Sequence, residues 1–327
     1  MQAIDFVVLW VDGTDPAWQA ERRNYRLDQG MDASEIRYRD WGTLRHLLRS
    51  IERFAPWHRR IHLVTWGHLP EWLKTDHPKL HIVRHTDYIP REWLPTFNSN
   101  VLELNLWRIE ALAEHFILLN DDTFLTRPTQ PEDFFRKGQP CDMARLSVVR
   151  PSSVGPIILN NLERINTLHS RKALNRHIGK WLAPCYGVGN LLKTISLLPW
   201  SFFPAFYDSH QMQPYRKADF KRAWELWGED LKRVCTHRFR STEDLSHWLV
   251  RYDVLCRGDF APRSMQDCSL VTLTDKSIGD IALQITQQQQ RLLCLNDSEQ
   301  IADFEAVKTH LVAAFETLLP TPSSYEK

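Results

Sequence analysis

The chain has 327 residues, 43% of them hydrophobic and 25% charged, with a formal net charge of +1. That length can bury a large core as one big domain or two small ones, and the composition is ordinary for a soluble globular protein. A balance so close to neutral lacks the basic excess of a nucleic-acid binder, and no run of about 18 apolar residues supplies a transmembrane helix.

The stretch nearest to a spanning helix, Leu191 to Tyr207, is interrupted by Lys193, Pro199 and Pro204. The N-terminus reaches an apolar strand by Ile4 with neither a basic leader nor a cleavage pattern, so a cytoplasmic protein is expected. The six cysteines (Cys141, Cys185, Cys235, Cys256, Cys268 and Cys294) show no C-x-x-C spacing, and free buried thiols are expected rather than a disulfide framework or zinc site. Thirteen tryptophans are unusual and suit either a core or a carbohydrate site.

Ile4 to Val11 reads as a buried strand that ends in a loop with Asp12, Gly13, Asp15 and Pro16. Residues 17–30 are polar and predict a helix. Leu44, Leu47, Leu48 and Ile51 recur at helical spacing between Thr43 and Phe54. Ile61 to Trp66 and Leu80 to Val83 are the next strands, and residues 100–114 predict a second amphipathic helix. Phe116 to Leu119 is a further apolar run, ending in Asn120-Asp121-Asp122. Strands alternating with helices imply an α/β fold with a doubly wound, mostly parallel, Rossmann-like sheet.

Beyond Asp122 the order is less regular. Asp142 to Val149 predicts a strand, and a mostly helical insertion covers about residues 155–200. Helices are expected from Lys217 to Leu226 and from Thr242 to Leu255. Residues 1–270 are read as the catalytic domain and 271–327 as a C-terminal helical tail. In that tail Ile301, Phe304, Val307, Leu311, Phe315 and Leu318 form one apolar stripe, with Asp297 and Gln300 as a variant capping box.

The junction at Asn120-Asp121-Asp122 carries the most chemistry. Open α/β sheets place ligands at the C-terminal ends of their strands, and paired carboxylates there suit Mg²⁺ shared with substrate phosphates. A solvated turn in which one Asp caps the next segment is the alternative reading.

Four ordered blocks resemble the Stealth family of bacterial polysaccharide hexose-1-phosphate transferases, which includes the catalytic subunit of lysosomal N-acetylglucosamine-1-phosphotransferase. The first runs from Ile4 to Pro16. The second opens at Arg37-Tyr38-Arg39-Asp40 and continues through Leu44 to Glu52, Ala55-Pro56-Trp57, Leu63 to Gly67, Leu94 to Asn100 and Glu103 to the paired aspartates. The third centres on His210 to Lys217, and the fourth on Phe239-Arg240-Ser241 with Asp244 and Trp248 to Tyr252. Family members often read His-x-Pro-x-Pro where this chain has His210-Gln211-Met212-Gln213-Pro214, so Met212 replaces the first proline.

The resemblance implies transfer of a sugar-1-phosphate from a UDP-sugar to a saccharide hydroxyl, with UMP leaving, in capsular or exopolysaccharide synthesis. Asp121 and Asp122 are then expected to hold Mg²⁺ or Mn²⁺. Asp12, Gly13 and Asp15 are expected at the uridine end of the donor, Asn98, Ser99 and Asn100 at an anion or sugar hydroxyl, Glu103 at donor-sugar hydroxyls or assisting the metal, and Asn120 among the substrate contacts. His210 is the candidate general base or phosphate-stabilising group, because imidazole titrates near neutral pH. Arg240 is expected to clamp phosphate through its planar fork, with Arg216 and Lys217 as lesser candidates for that task or for a charged acceptor. The implied partners are the donor, a saccharide or growing polysaccharide, and capsule-assembly proteins at the inner membrane; none is a nucleic acid. A metal-dependent glycosyltransferase releasing UDP, or a non-catalytic carbohydrate-binding subunit, are the alternative functions.

Overall fold

The computed structural model describes residues 3–25, 31–32, 34 and 38–327. Residues 26–30 of the helix predicted over 17–30, and Arg37 at the start of the second resemblance block, lie outside the described residues. A five-stranded sheet organises the chain in the spatial order Leu80–Arg84, Arg60–Thr65, Ile4–Leu9, His115–Asn120, Gln213–Arg216. The first four strands run parallel, and Gln213–Arg216 joins His115–Asn120 antiparallel at the edge. The α/β, mostly parallel, doubly wound expectation holds.

Both sheet faces are buried, so the central strands read as continuous apolar runs. Side chains alternate between faces. Val7, Leu9, Phe116 and Leu118 enter one core with the helices Lys217–Cys235 and Trp248–Arg257. Phe6, Val8, Ile117 and Leu119 enter the other with Leu44–Phe54 and Phe304–Leu318. Phe315 lies 4.3 Å from Phe124 between ring centroids, and truncating it to Ala would cost about 3–5 kcal/mol by the usual cavity penalty.

Several boundaries differ from the sequence reading. The helix expected over 100–114 stops at Leu104, where buried Asn105 turns its amide back onto the Val101 carbonyl and across to Cys235 Sγ. Such local side-chain bonding competes with the helix. Asp142 ends a strand, Gln139–Asp142, rather than beginning one. The helix after Lys217 runs to Cys235 across a kink at Trp227, and the one expected from Thr242 occupies Trp248–Arg257, closed by Gly258 in the left-handed region.

The C-terminal segment is not all helix. Leu292–Asn296 is a strand, parallel to Cys268–Thr272 and antiparallel to Thr123–Leu125 just past the paired aspartates. Its side chains share a core with the first strand, so this segment belongs to the main body. Asp303, not Asp297, caps the last helix through the Ala306 N–H. Asp297 instead accepts from the Trp41 indole at 3.1 Å. All six cysteines are free, and among the described residues no helix is long and apolar enough to cross a membrane.

Candidate active site

The strands reverse their spatial order between Ile4–Leu9 and His115–Asn120. From Ile4–Leu9 the chain builds outward through Arg60–Thr65 and Leu80–Arg84, then returns to place His115–Asn120 on the other side. The crevice at such a reversal, outside the strands' C-terminal ends, is where open α/β sheets bind ligands. Leu9 lies opposite Asn120 in the register, so the Asp12 loop and the Asn120-Asp121-Asp122 turn both leave the sheet at this point. Asn120 is exposed, and both aspartates are half-buried.

Burial raises the Asp121 carboxyl well above its ordinary value, and the charges of Asp122 and Asp40 add to the rise. Burial also raises Asp122, against the lowering influence of His210 and of hydrogen bonds from Thr123 and Cys294. Asp122 Oδ1 accepts from Thr123 Oγ1 at 3.0 Å. Two partly desolvated, mutually repelling carboxylates favour a cation between them. Among the described residues no three His, Cys, Asp or Glu side chains converge as a closed metal cage. An open pair of this kind fits Mg²⁺, which retains waters and takes substrate phosphates as further ligands.

His210 arrives from the antiparallel edge strand. Leu118 pairs with Gln213, and His210, three residues before it, lies close enough to the aspartates to lower the Asp122 carboxyl. Its backbone is in the left-handed region at φ 51° and its side chain is exposed. A non-glycine residue there costs roughly 1–3 kcal/mol and persists only where its surroundings hold it. Those surroundings are visible. Asp208, two residues earlier, accepts from Arg251 Nη1 at 2.7 Å and from Tyr252 Oη at 2.6 Å. Arg251 is almost fully buried and forks onto Asp142 at 2.6 and 3.0 Å. Burial pushes Asp208 up to about 6, with Arg251 and the Tyr252 hydrogen bond opposing the rise.

The fourth and second blocks close the opposite wall. Burial, then the neighbouring charges of His210, Arg251 and Arg240, push His247 down to about 3, so its imidazole stays neutral. Its Nδ1 lies 2.7 Å from Tyr215 Oη, and its Nε2 is 3.7 Å from Glu103. Burial pushes Glu103 up to about 7 against the lowering charge of Arg240. Arg240 Nη2 donates to Ser99 Oγ at 2.7 Å. Asp121, Asp122, His210, Glu103, Arg240 and Ser99 thus belong to one continuous electrostatic cluster.

Other expected site residues have different work. Asn98 and Asn100 are buried, and both side-chain amides donate to Asp244 Oδ2, at 2.8 and 2.9 Å. That carboxylate also accepts from the Ser241 N–H and meets His237. The two asparagines therefore tie the second block to the fourth. Arg216 pairs with His115, at the far end of the strand from Asp121, where Asp219 and Asp259 engage its guanidinium. Lys217 Nζ is likewise turned onto the Ile109 and Leu112 carbonyls. Both lie away from the aspartates because the edge strand runs antiparallel.

At the first loop Asp15 caps the helix Pro16–Arg23 by accepting from the Trp18 N–H. Asp12 accepts from the Thr14 N–H and hydroxyl. Gly13 is required by a close approach within the protein: a Cβ there would stand 2.0 Å from the Tyr38 carbonyl oxygen. A cavity of about 440 Å³ lined by His169, Arg176, His177, Cys256, Arg257 and Asp259 sits at the Arg216 end of the sheet, not at the aspartates.

Sequence reasoning missed Asp40, Asp142, Asp208, His247 and Arg251. The proximity of Asp208 to His210 was a usable signal, and Arg251 lay within the fourth block. The Asp142–Arg251 fork joins residues too far apart for any spacing rule to find.

Comparison with known proteins bears on the chain as a whole. Family models for Stealth protein conserved region 1 and conserved region 2 match residues 2–30 and 37–142. The chain is 39% identical over 334 residues to capsular polysaccharide phosphotransferase WcwK of Streptococcus pneumoniae, covering 100% of this chain and 99% of that one. It is 34% identical over 333 residues to receptor polysaccharide phosphotransferase WefC of Streptococcus oralis, covering 100% of both. Among solved structures, the galactosyltransferase LgtC bound to donor and acceptor sugar analogues aligns over 98% of both chains at 10% identity, with a TM-score of 0.40, too distant to bear on the reaction. On the conserved regions and the full-length relatives, the chain belongs to the Stealth family.

Proposed function

We propose that this enzyme transfers a sugar-1-phosphate, N-acetylhexosamine-1-phosphate by preference, from a UDP-sugar to a saccharide hydroxyl and releases UMP. The work belongs to capsular or exopolysaccharide synthesis in the cytoplasm. The observation that carries this reading is His210, close enough to lower the Asp122 carboxyl, beside a carboxylate pair at the sheet's switch point. The names of the full-length relatives, polysaccharide phosphotransferases, support the same class of reaction.

The acceptor oxygen attacks the phosphorus that bears the sugar, and the bond from that phosphorus to the oxygen of UMP breaks. His210 takes the hydroxyl proton, with Asp208 and Arg251 behind it fixing the backbone that presents the imidazole. Arg240 offers charge-assisted bonds to the phosphoryl oxygens, where preorganised positive charge is worth most. Glu103, ionising near neutral pH, takes a donor-sugar hydroxyl or balances Arg240. Asp121 and Asp122 would hold Mg²⁺ or Mn²⁺, which when bound neutralises developing charge on the diphosphate. Asp12 and Asn120 line the same end of the sheet as the uridine-side and sugar-side contacts.

A panel of UDP-sugars incubated with a saccharide acceptor tests the proposal. The expected result is UMP release with a phosphodiester signal in the product's phosphorus NMR spectrum; donors that are bound but never turned over would support the carbohydrate-binding alternative.

A further inference from the structure

Twelve large apolar side chains are exposed among the described residues, and nine of them fall between Met143 and Tyr207. The same segment carries eight Lys and Arg residues but one acid, Glu163, in a chain whose overall charge is only +1. Folding soluble chains rarely concentrates apolar exposure in this way, and a large patch of it marks an interaction surface.

The helix Val188–Leu197 shows the pattern most clearly. Val188, Leu192 and Ile195 stand at i, i+4 and i+7, hence on one face, and all three are exposed. Its one buried side chain is polar Thr194, whose hydroxyl accepts from the Leu146 N–H. Leu191 and Leu197 pack inward beside Thr194, and the helix leaves a second apolar face exposed. Trp200 and Phe202 follow it directly, 53% and 46% exposed, with their rings edge to face. The chain after it is tied back to its neighbours, since the Ser147 N–H bonds the Ala205 carbonyl and the Phe203 N–H bonds Asn166 on the helix Gly155–Leu168. Arg150, Lys172, Arg176 and Lys193 of this segment are exposed.

We infer that this face docks on the surface of an anionic lipid bilayer. An exposed apolar helix face with Lys193 beside Leu192 and a tryptophan just past its end, in a segment rich in cations, matches the two forces that hold interfacial helices: apolar burial at the headgroup boundary and attraction to anionic lipid. A protein partner of matching acidity would be a different occupant. Arg164 is paired with Asp230 and Glu163, but exposed Arg150, Lys172 and Lys193 make no ion pair among the described residues, and this like charge beside tryptophan and aliphatic residues favours the bilayer. In sequence the segment runs straight into Asp208 and His210.

The inference is tested on the full chain without any sugar substrate, so its outcome is independent of the proposed reaction. Sedimentation with phosphatidylcholine vesicles, with and without phosphatidylglycerol, is the measurement. Binding is expected to the anionic vesicles and to weaken with salt. Trp200→Ser and the pair Leu192→Ser with Ile195→Ser should each weaken it by about tenfold or more, while Leu283→Ser, exposed but outside the segment, should leave it unchanged. If the aliphatic pair fails to fold, Trp200→Ser carries the test alone. Absence of binding to anionic vesicles, undiminished binding of Trp200→Ser, or a dimer that Trp200→Ser disrupts in a chain that ignores vesicles would each overturn the inference.

Discussion

Arg251 and Asp208 are joined at 2.7 Å beneath the candidate active site, and the second arm of the same guanidinium grips Asp142. One buried cation thereby fixes the end of the strand Gln139–Asp142 and the backbone that presents His210. Removing that cation would leave two desolvated carboxylates without a countercharge, though Tyr252 still donates to Asp208 and the Met143 N–H to Asp142. Breaking one side of a buried pair costs about 3–5 kcal/mol. Arg251→Met is therefore expected to lower stability by that amount in chemical denaturation. Asp208→Asn, which keeps a polar group facing Tyr252, should cost less stability while still lowering turnover.

His210→Gln should fold normally and lose transfer by about a hundredfold or more, the usual scale of a general base. The base assignment fails if steady-state kinetics show only a raised KM with unchanged kcat.

Asp122→Asn should abolish transfer and remove the stabilisation that Mg²⁺ or Mn²⁺ gives the wild type in thermal unfolding. The physical basis is ligand linkage: a cation that binds only the folded site raises the melting temperature, and the rise disappears with its ligand. An equal metal-dependent shift in wild type and variant would place the cation elsewhere.

Glu103 makes a pH prediction with a definite sign. Its folded-state value is raised to about 7 by burial, so its protonated form is the one the fold prefers. Its contribution to stability is complete below the ordinary carboxylate range and is lost as pH rises through about 7. Glu103→Gln should therefore be more stable than wild type at pH above about 8, by up to about 3 kcal/mol for such a shift, and the gain should vanish near pH 4. Urea melts across that range read it directly.

Asn100→Ala should behave as a structural lesion. Its amide is spent on Asp244, so thermal stability is expected to fall by about 1–3 kcal/mol, the cost of leaving a buried acceptor short of a partner. Isothermal titration of the UDP-sugar into the folded variant should find donor affinity unchanged, whereas a selective loss of affinity would restore Asn100 to the sugar contacts.

The central sheet was legible because apolar runs of strand length, separated by helical periodicity, leave few other arrangements. The aspartate pair was legible for the same reason: it ends such a run. The roles of Asn98 and Asn100 were not, because a buried amide facing Asp244 and an exposed one facing a sugar look alike in sequence. Arg216 was misplaced because its edge strand runs antiparallel, a direction no local pattern encodes. The strand Leu292–Asn296 was missed within a segment whose flanking helices dominate the pattern. The covered and uncovered faces of Val188–Leu197 have the same periodicity, and only packing shows that Thr194 is the inward side.

The most direct test of the reaction uses a UDP-sugar radiolabelled at the phosphorus that bears the sugar. Attack at that phosphorus predicts label in the saccharide product and unlabelled UMP in solution. Recovery of the label in released UDP, with a phosphate-free product, would contradict it and make the enzyme a glycosyltransferase.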